Sequence, residues 1–155
     1  MLQVLKLQKS YGAGNTIYPV LKGVSFTVMD GEFAAVMGSS GSGKTTLLNC
    51  ISRYIPVDSG KVKLGDTDLS LLDETQIARV RSRELGFVFQ DFLLLDGLTV
   101  RQNILLPAII GNTISDAAEE QADHLCTIFG IEKICEKYPA EISGGEKQRT
   151  AVARA

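Results

Sequence analysis

The sequence predicts an α/β fold in which a buried strand runs into a phosphate-binding glycine loop and then a helix. A mostly helical portion follows this core. Three observations carry the prediction. Residues 38–46 read Gly-Ser-Ser-Gly-Ser-Gly-Lys-Thr-Thr. Residues 33–37, just before them, are continuously apolar, as suits a strand buried on both faces. Residues 142–149 read Ile-Ser-Gly-Gly-Glu-Lys-Gln-Arg, a capped helix start about a hundred residues later.

The elements follow in chain order. Residues 2–7 are strand-like, and residues 24–29 alternate Val24, Phe26 and Val28 with Ser25 and Thr27. Residues 12–15 form a turn between them, and Gly31-Glu32 turns into the apolar run. After the loop, residues 45–53 read as a helix, broken at residues 56–60. Residues 61–64 make a short strand. Asp73 caps a helix over residues 74–82, with Gln76 at its third position. Residues 85–89 form another short apolar strand ending at Gln90. Thr99 and Gln102 form a capping box opening residues 100–110, which include Pro107. Ser115 caps residues 116–129, where Ala118, Ala122, Leu125 and Phe129 share a face and Gly130 is the stop. The resulting division is residues 1–90 as phosphate-loop core and β subdomain, 91–137 as helical subdomain, and 138–155 as the final motif segment.

Composition narrows the class. The 155 residues suit one domain with a core, and 45% hydrophobic and 22% charged residues are ordinary for a globular protein. The net charge of −2 argues against a nucleic-acid-binding tail or a polybasic anchor. Cys50, Cys126 and Cys135 are odd in number and lack metal spacing, which points to free thiols in a reducing compartment. The start is not a signal peptide, and the longest apolar stretches, 33–37 and 104–110, are too short to span a bilayer. A membrane connection would run through a partner.

The loop chemistry follows from its residue types. A triphosphate must exchange water for other donors. Gly38, Gly41 and Gly43 permit dihedrals and approaches that a Cβ would block. Backbone N–H groups of Gly38, Ser39, Ser40, Gly41, Ser42, Gly43, Lys44, Thr45 and Thr46 then wrap the phosphates at a helix N-terminus. Lys44 brings a cation to the β and γ phosphates, and Thr45 brings a hydroxyl to Mg²⁺. In the second motif Ser143 caps a helix with Glu146 three residues on. Gly144 and Gly145 leave its N-terminus open to an anion from another molecule.

With both motifs, the chain resembles the ATP-binding subunits of the ATP-binding cassette (ABC) transporter family, along essentially its whole length. The resemblance implies a P-loop NTPase fold of the ABC nucleotide-binding type, with an antiparallel β subdomain and a helical subdomain, and with ATP and Mg²⁺ as ligands. It implies that Ser143, Gly144, Gly145 and Glu146 contact the γ-phosphate of ATP on an opposite protomer, so that ATP is sandwiched in a homodimer. Ile142 stands where the family usually has leucine, and Glu146 where glutamine is common. Tyr11, in Lys-Ser-Tyr-Gly, matches the aromatic that stacks on adenine, with Tyr18 a weaker competitor. Gln90, after Gly-Phe-Val-Phe, matches the Q-loop glutamine that reaches Mg²⁺ or the attacking water. Residues 92–110 correspond to the segment that docks on membrane permease subunits, at the cytoplasmic face. Tyr138-Pro139-Ala140-Glu141 is most similar to the branch serving macrolide export, lipoprotein release and antimicrobial-peptide resistance.

Other residues carry bland readings. His124, on the amphipathic helix, is structural, Cys50 is a buried apolar residue, and residues 79–84 are a solvated charged face. The family continues past this point into a strand ending in an aspartate, a catalytic glutamate and a switch histidine. The expectation is a C-terminally incomplete domain, marginally stable and inactive by itself, from a parent ATPase. The alternatives are a non-enzymatic fragment, or a soluble ABC ATPase outside transport, which would place a long coiled coil between the two motifs.

Overall fold

A computed structural model describes residues 1–13 and 16–155. They form two compact units, Met1–Arg81 and Ser82–Ala155. The first is built on a four-stranded antiparallel sheet of order β2-β1-β3-β4. Its strands are β1 (Leu2–Ala13), β2 (Thr16–Val28), β3 (Ser59–Leu64) and β4 (Thr67–Asp68). Helices α1 (Lys44–Ile51) and α2 (Glu74–Arg83) complete this unit, with the last residues of α2 passing into the second.

β1 and β2 run further than their alternation predicts, because their ladder continues through polar residues to Ala13↔Thr16. The turn expected at residues 12–15 thus begins inside β1, and its residues 14 and 15 lie outside the described residues. The β1–β3 register shifts between Leu5 and Gln8, where Lys6 takes φ 48°. Gly60 lies against this irregularity at φ 94°, and a Cβ there would meet the Lys6 carbonyl oxygen at 2.5 Å. Only glycine fits so close a backbone approach. The sheet packs Val4, Leu7, Leu21 and Val62 on Leu47 and Cys50 of α1, Leu69 and Ile77. A fully buried side chain of this kind stabilises by about 1.5–3 kcal/mol.

Two expected strands are not strands. Residues 33–37 and 85–89 have no ladder among the described residues. Phe33 is 94% and Met37 89% exposed. Continuous apolar character states a demand for burial. A strand also needs a ladder with a neighbouring backbone, and neither segment forms one among the described residues.

The second unit holds α3 (Val100–Ile110), α4 (Asp116–Ile128) and α5 (Gly144–Arg154). Their caps are those the sequence predicts. Thr99 and Gln102 close a reciprocal capping box, and Ser115 Oγ accepts from the Ala118 amide at 3.3 Å. In the first unit Asp73 and Gln76 likewise exchange bonds of 2.8 and 3.0 Å at the start of α2. The second core joins Val100, Ile104 and Leu105 of α3, Ala122 and Cys126 of α4, Ala153 of α5, and Ile131, Ile134 and Ile142 between them. Arg101 ties α3 to α4 through Asp123 at 2.8 Å and Glu119 at 3.3 Å. The Arg101 hydrogen bond holds the Asp123 carboxyl below the usual carboxylate range.

Asn103 is fully buried, and its amide organises the segment before α3. Its Oδ1 accepts from the Leu95 amide at 2.8 Å. Its Nδ2 donates to the carbonyls of Leu95, Leu98 and Thr99 at 3.0–3.1 Å. Asn103→Ala removes all four bonds and leaves the Leu95 amide and the Leu98 carbonyl without this partner. The expected cost is at least about 2 kcal/mol, read as a lower denaturant midpoint, with faster amide exchange at Leu95 than at the remote residue Leu7.

Candidate functional site

The glycine loop enters α1 without a side-chain cap. Gly43 occupies the N-cap position at φ 95°, in the left-handed region. A Cβ there would lie 2.8 Å from Val20 Cγ1, so the β2 side chain and the dihedral both demand glycine. Ser42 N–H donates to Ser39 O at 3.3 Å, and Leu47 N–H donates to Gly43 O at 2.8 Å, starting the helix. The first helical amides, at Lys44, Thr45 and Thr46, precede that bond. An uncapped α-helix start leaves such donors for an anion.

Lys44 folds back over this loop. Its ammonium donates to Gly38 O at 2.9 Å and Ser39 O at 2.8 Å. An ammonium carries three donors, so one group can hold these carbonyls and also reach a phosphate oxygen. Gly38, Ser39, Ser40, Gly41 and Ser42 are exposed, as is Thr45 in the first turn of α1. Positive charge, bare amides and solvent access are thus combined on one short segment.

Tyr11 lies on β1, 42% exposed, directly across from Tyr18 on β2. The Lys9 ammonium sits 5.6 Å from the Tyr11 ring centroid. Asp58 fixes this strand: it accepts from Lys9 Nζ at 3.0 Å and from the Ser10 amide at 2.6 Å. Those bonds, the Lys9 one first, hold the Asp58 carboxyl below the usual range.

The remaining candidates belong to the second unit. Gln90 is exposed and occupies a turn with Asp91, closed by Phe92 N–H to Phe89 O at 3.1 Å. Phe92 and Leu93 follow with φ of 58° and 46°. Arg154, at the end of α5, donates to Phe92 O at 2.7 Å and Leu93 O at 2.6 Å. Sequence reading missed this contact. The partners are some sixty positions apart, and no local pattern marks them. Burial pulls the Arg154 pKa down from its usual value, so its charge is held at some desolvation cost.

Ser143 and Glu146 form the predicted capping box. The Glu146 carboxylate accepts from both the Ser143 hydroxyl and the Ser143 amide at 2.7 Å. Thr150, fully buried, anchors the next turn by donating to Glu146 O at 2.8 Å. Gly144 and Gly145 at the head of α5 are exposed, and a Cβ at Gly144 would meet open space. His124 is exposed, and Cys50 is buried in the first core, where desolvation raises its thiol pKa.

The ABC transporter family model matches residues 21–155. The chain is 45% identical, over its whole length, to the bacitracin export ATP-binding protein BceA of Halalkalibacterium halodurans, covering 61% of that protein. It is 37% identical to the macrolide export ATP-binding/permease protein MacB of Marinobacter nauticus, covering 24% of it. A solved structure of the ATP-binding cassette MJ0796, a dimer in a post-hydrolysis state with ADP and Pi, matches at TM-score 0.90 and 32% identity. It covers 99% of this chain and 68% of that one.

The chain therefore belongs to the ABC transporter family and has the fold of its ATP-binding cassettes. It spans about three fifths of the length of the ATP-binding proteins BceA and YxdL.

The Ser143–Glu146 lock has a pH dependence of definite sign. Hydrogen bonds from Ser143, its side chain first, hold the Glu146 carboxyl below the usual carboxylate range. A depressed folded pKa stabilises above the unfolded value and is lost as pH falls through the folded one. The Ser143 amide resonance should hold its position at neutral pH and shift below the ordinary glutamate range. Glu146→Gln should abolish that titration and leave α5 formed.

Proposed function

We propose that the protein containing this chain is the ATP-hydrolysing subunit of an ABC exporter acting on a peptide or antibiotic. The observation that carries the reading is Lys44, bound to Gly38 O and Ser39 O above the uncapped amides of α1. That arrangement offers a triphosphate a cation and a row of donors together. The names of BceA and MacB support export as the direction of transport.

Each candidate has a role in the proposal. Residues 38–46 hold the β and γ phosphates, and Tyr11 stacks on adenine. The exposed Thr45 hydroxyl and the Gln90 amide oxygen are the donors this chain offers Mg²⁺, and hard oxygen ligands suit that ion. Bound Mg²⁺ would neutralise charge developing on the phosphates. The turn at Gln90 orients the attacking water, and Arg154 holds the backbone just beyond it. Ser143, Gly144, Gly145 and Glu146 contribute α5 to the γ-phosphate bound by a second copy of the chain. The dimeric state of MJ0796 supports that sandwich.

The subunit works at the cytoplasmic face of a membrane, docked on permease subunits through residues 92–110. Leu93, Leu95, Ile109 and Ile110 there are exposed. No helix among the described residues is long and apolar enough to cross a membrane. The proposed functional division is residues 1–90 as phosphate-loop core and β subdomain, 91–137 as helical subdomain and 138–155 as signature segment, while the compact units divide between Arg81 and Ser82.

In the full-length protein, Lys44→Ala should weaken Mg-ATP binding at least about tenfold, the equivalent of roughly 1.4 kcal/mol, with an unchanged circular dichroism spectrum. Calorimetric titration reads the affinity. Equal affinity in the variant would sink the assignment.

A further inference from the structure

The second unit holds a thiol pair for which ATP chemistry has no use. Cys126, on α4, is 2% exposed, and Cys135, after Ile134, is half-buried. Cys135 Sγ lies 2.9 Å from Cys126 Sγ and 3.5 Å from Ile131 O, so the two sulfurs face each other and are within about an ångström of bonding distance. Burial, first, and the neighbouring Cys135 push the Cys126 thiol up to about 12. Cys50 sits in the separate core of the first unit.

We propose that Cys126 and Cys135 are the site of a reversible disulfide, formed with hydrogen peroxide as oxidant and reopened by a small thiol reductant. The half-buried Cys135 reacts first. Its sulfur attacks one peroxide oxygen and the O–O bond breaks. The departing hydroxide takes the thiol proton as water, leaving a sulfenic acid. Cys126 sulfur then attacks Cys135 sulfur, the S–O bond breaks, and the Cys126 proton leaves with hydroxide as a second water. Two thiols are oxidised by two electrons, and one peroxide is reduced to two waters. Cys126, 2% exposed yet 2.9 Å from Cys135 Sγ, is shielded from peroxide but within reach of the sulfenic acid, which makes it the resolving thiol.

The bond would act as a staple. The segment carrying Cys135 also supplies the acceptors for the start of α3. Arg101 N–H donates to Cys135 O at 3.0 Å, and Val100 N–H to Lys137 O at 2.9 Å. Because the sulfurs already touch, closing the bond pins that segment to α4 with little rearrangement, and it removes freedom from the unfolded chain.

The test treats the folded full-length protein with hydrogen peroxide, alkylates the remaining thiols, and maps peptides by mass spectrometry. The expected result is a Cys126–Cys135 crosslinked peptide, full recovery of both thiols with dithiothreitol, and a higher melting temperature for the oxidised form. Cys50→Ser should leave the crosslink intact. Cys135→Ser should leave Cys126 alkylatable after denaturation, with no sulfenic acid trapped there. Oxidation of Cys135 to sulfinic acid with Cys126 still a thiol would overturn the proposal. So would intermolecular crosslinks only, or no thiol loss at peroxide levels that oxidise free cysteine.

Discussion

Lys44 bends back to the carbonyls of Gly38 and Ser39, and this contact sets both the shape and the charge of the loop. Its neighbours are arranged to allow it. Gly43 must be left-handed and lack a Cβ, because Val20 of β2 fills the space beside it. β2 is held there by the long β1 ladder, and α1 by Leu47 and Cys50 in the same core. The sheet and first core therefore serve to hold a short, exposed, amide-rich segment open to solvent. A loop with one lysine and no side-chain cap is poorly satisfied by its own chain, and such a loop is suited to a ligand with several negative charges.

The second unit solves a related problem at α5. There a side-chain cap is present, since Ser143 and Glu146 satisfy one another, while Gly144 and Gly145 stay exposed beside them. The opposite end of α5 carries Arg154, which holds the backbone after Gln90. One helix thus links the glycine-flanked start to the glutamine turn.

What the sequence makes legible is local. The caps at Asp73, Thr99, Ser115 and Ser143 depend on partners within three residues, and each forms as the pattern implies. The conformation of the glycine loop is legible for the same reason, because its glycines encode backbone conformation directly. The strands at residues 33–37 and 85–89 fail because a ladder needs a second backbone that hydrophobicity does not specify. Asn103, Arg154 and the Cys126–Cys135 pair escape sequence reading for another reason. Asn103 acts through burial on several carbonyls at once, and the others meet across turns whose path the pattern does not give. Family resemblance supplies the role of Gln90, whose exposed turn has no chemical meaning by itself.

The account stands on the loop at residues 38–46 as the place where a triphosphate is held. Backbone amide exchange of the full-length protein, with and without saturating Mg-ATP and with hydrolysis blocked, reads this directly. The account predicts the largest protection at the amides of residues 38–46 and at the first turn of α1. Saturating Mg-ATP that leaves those amides unprotected, or protects a distant surface in their place, would contradict it.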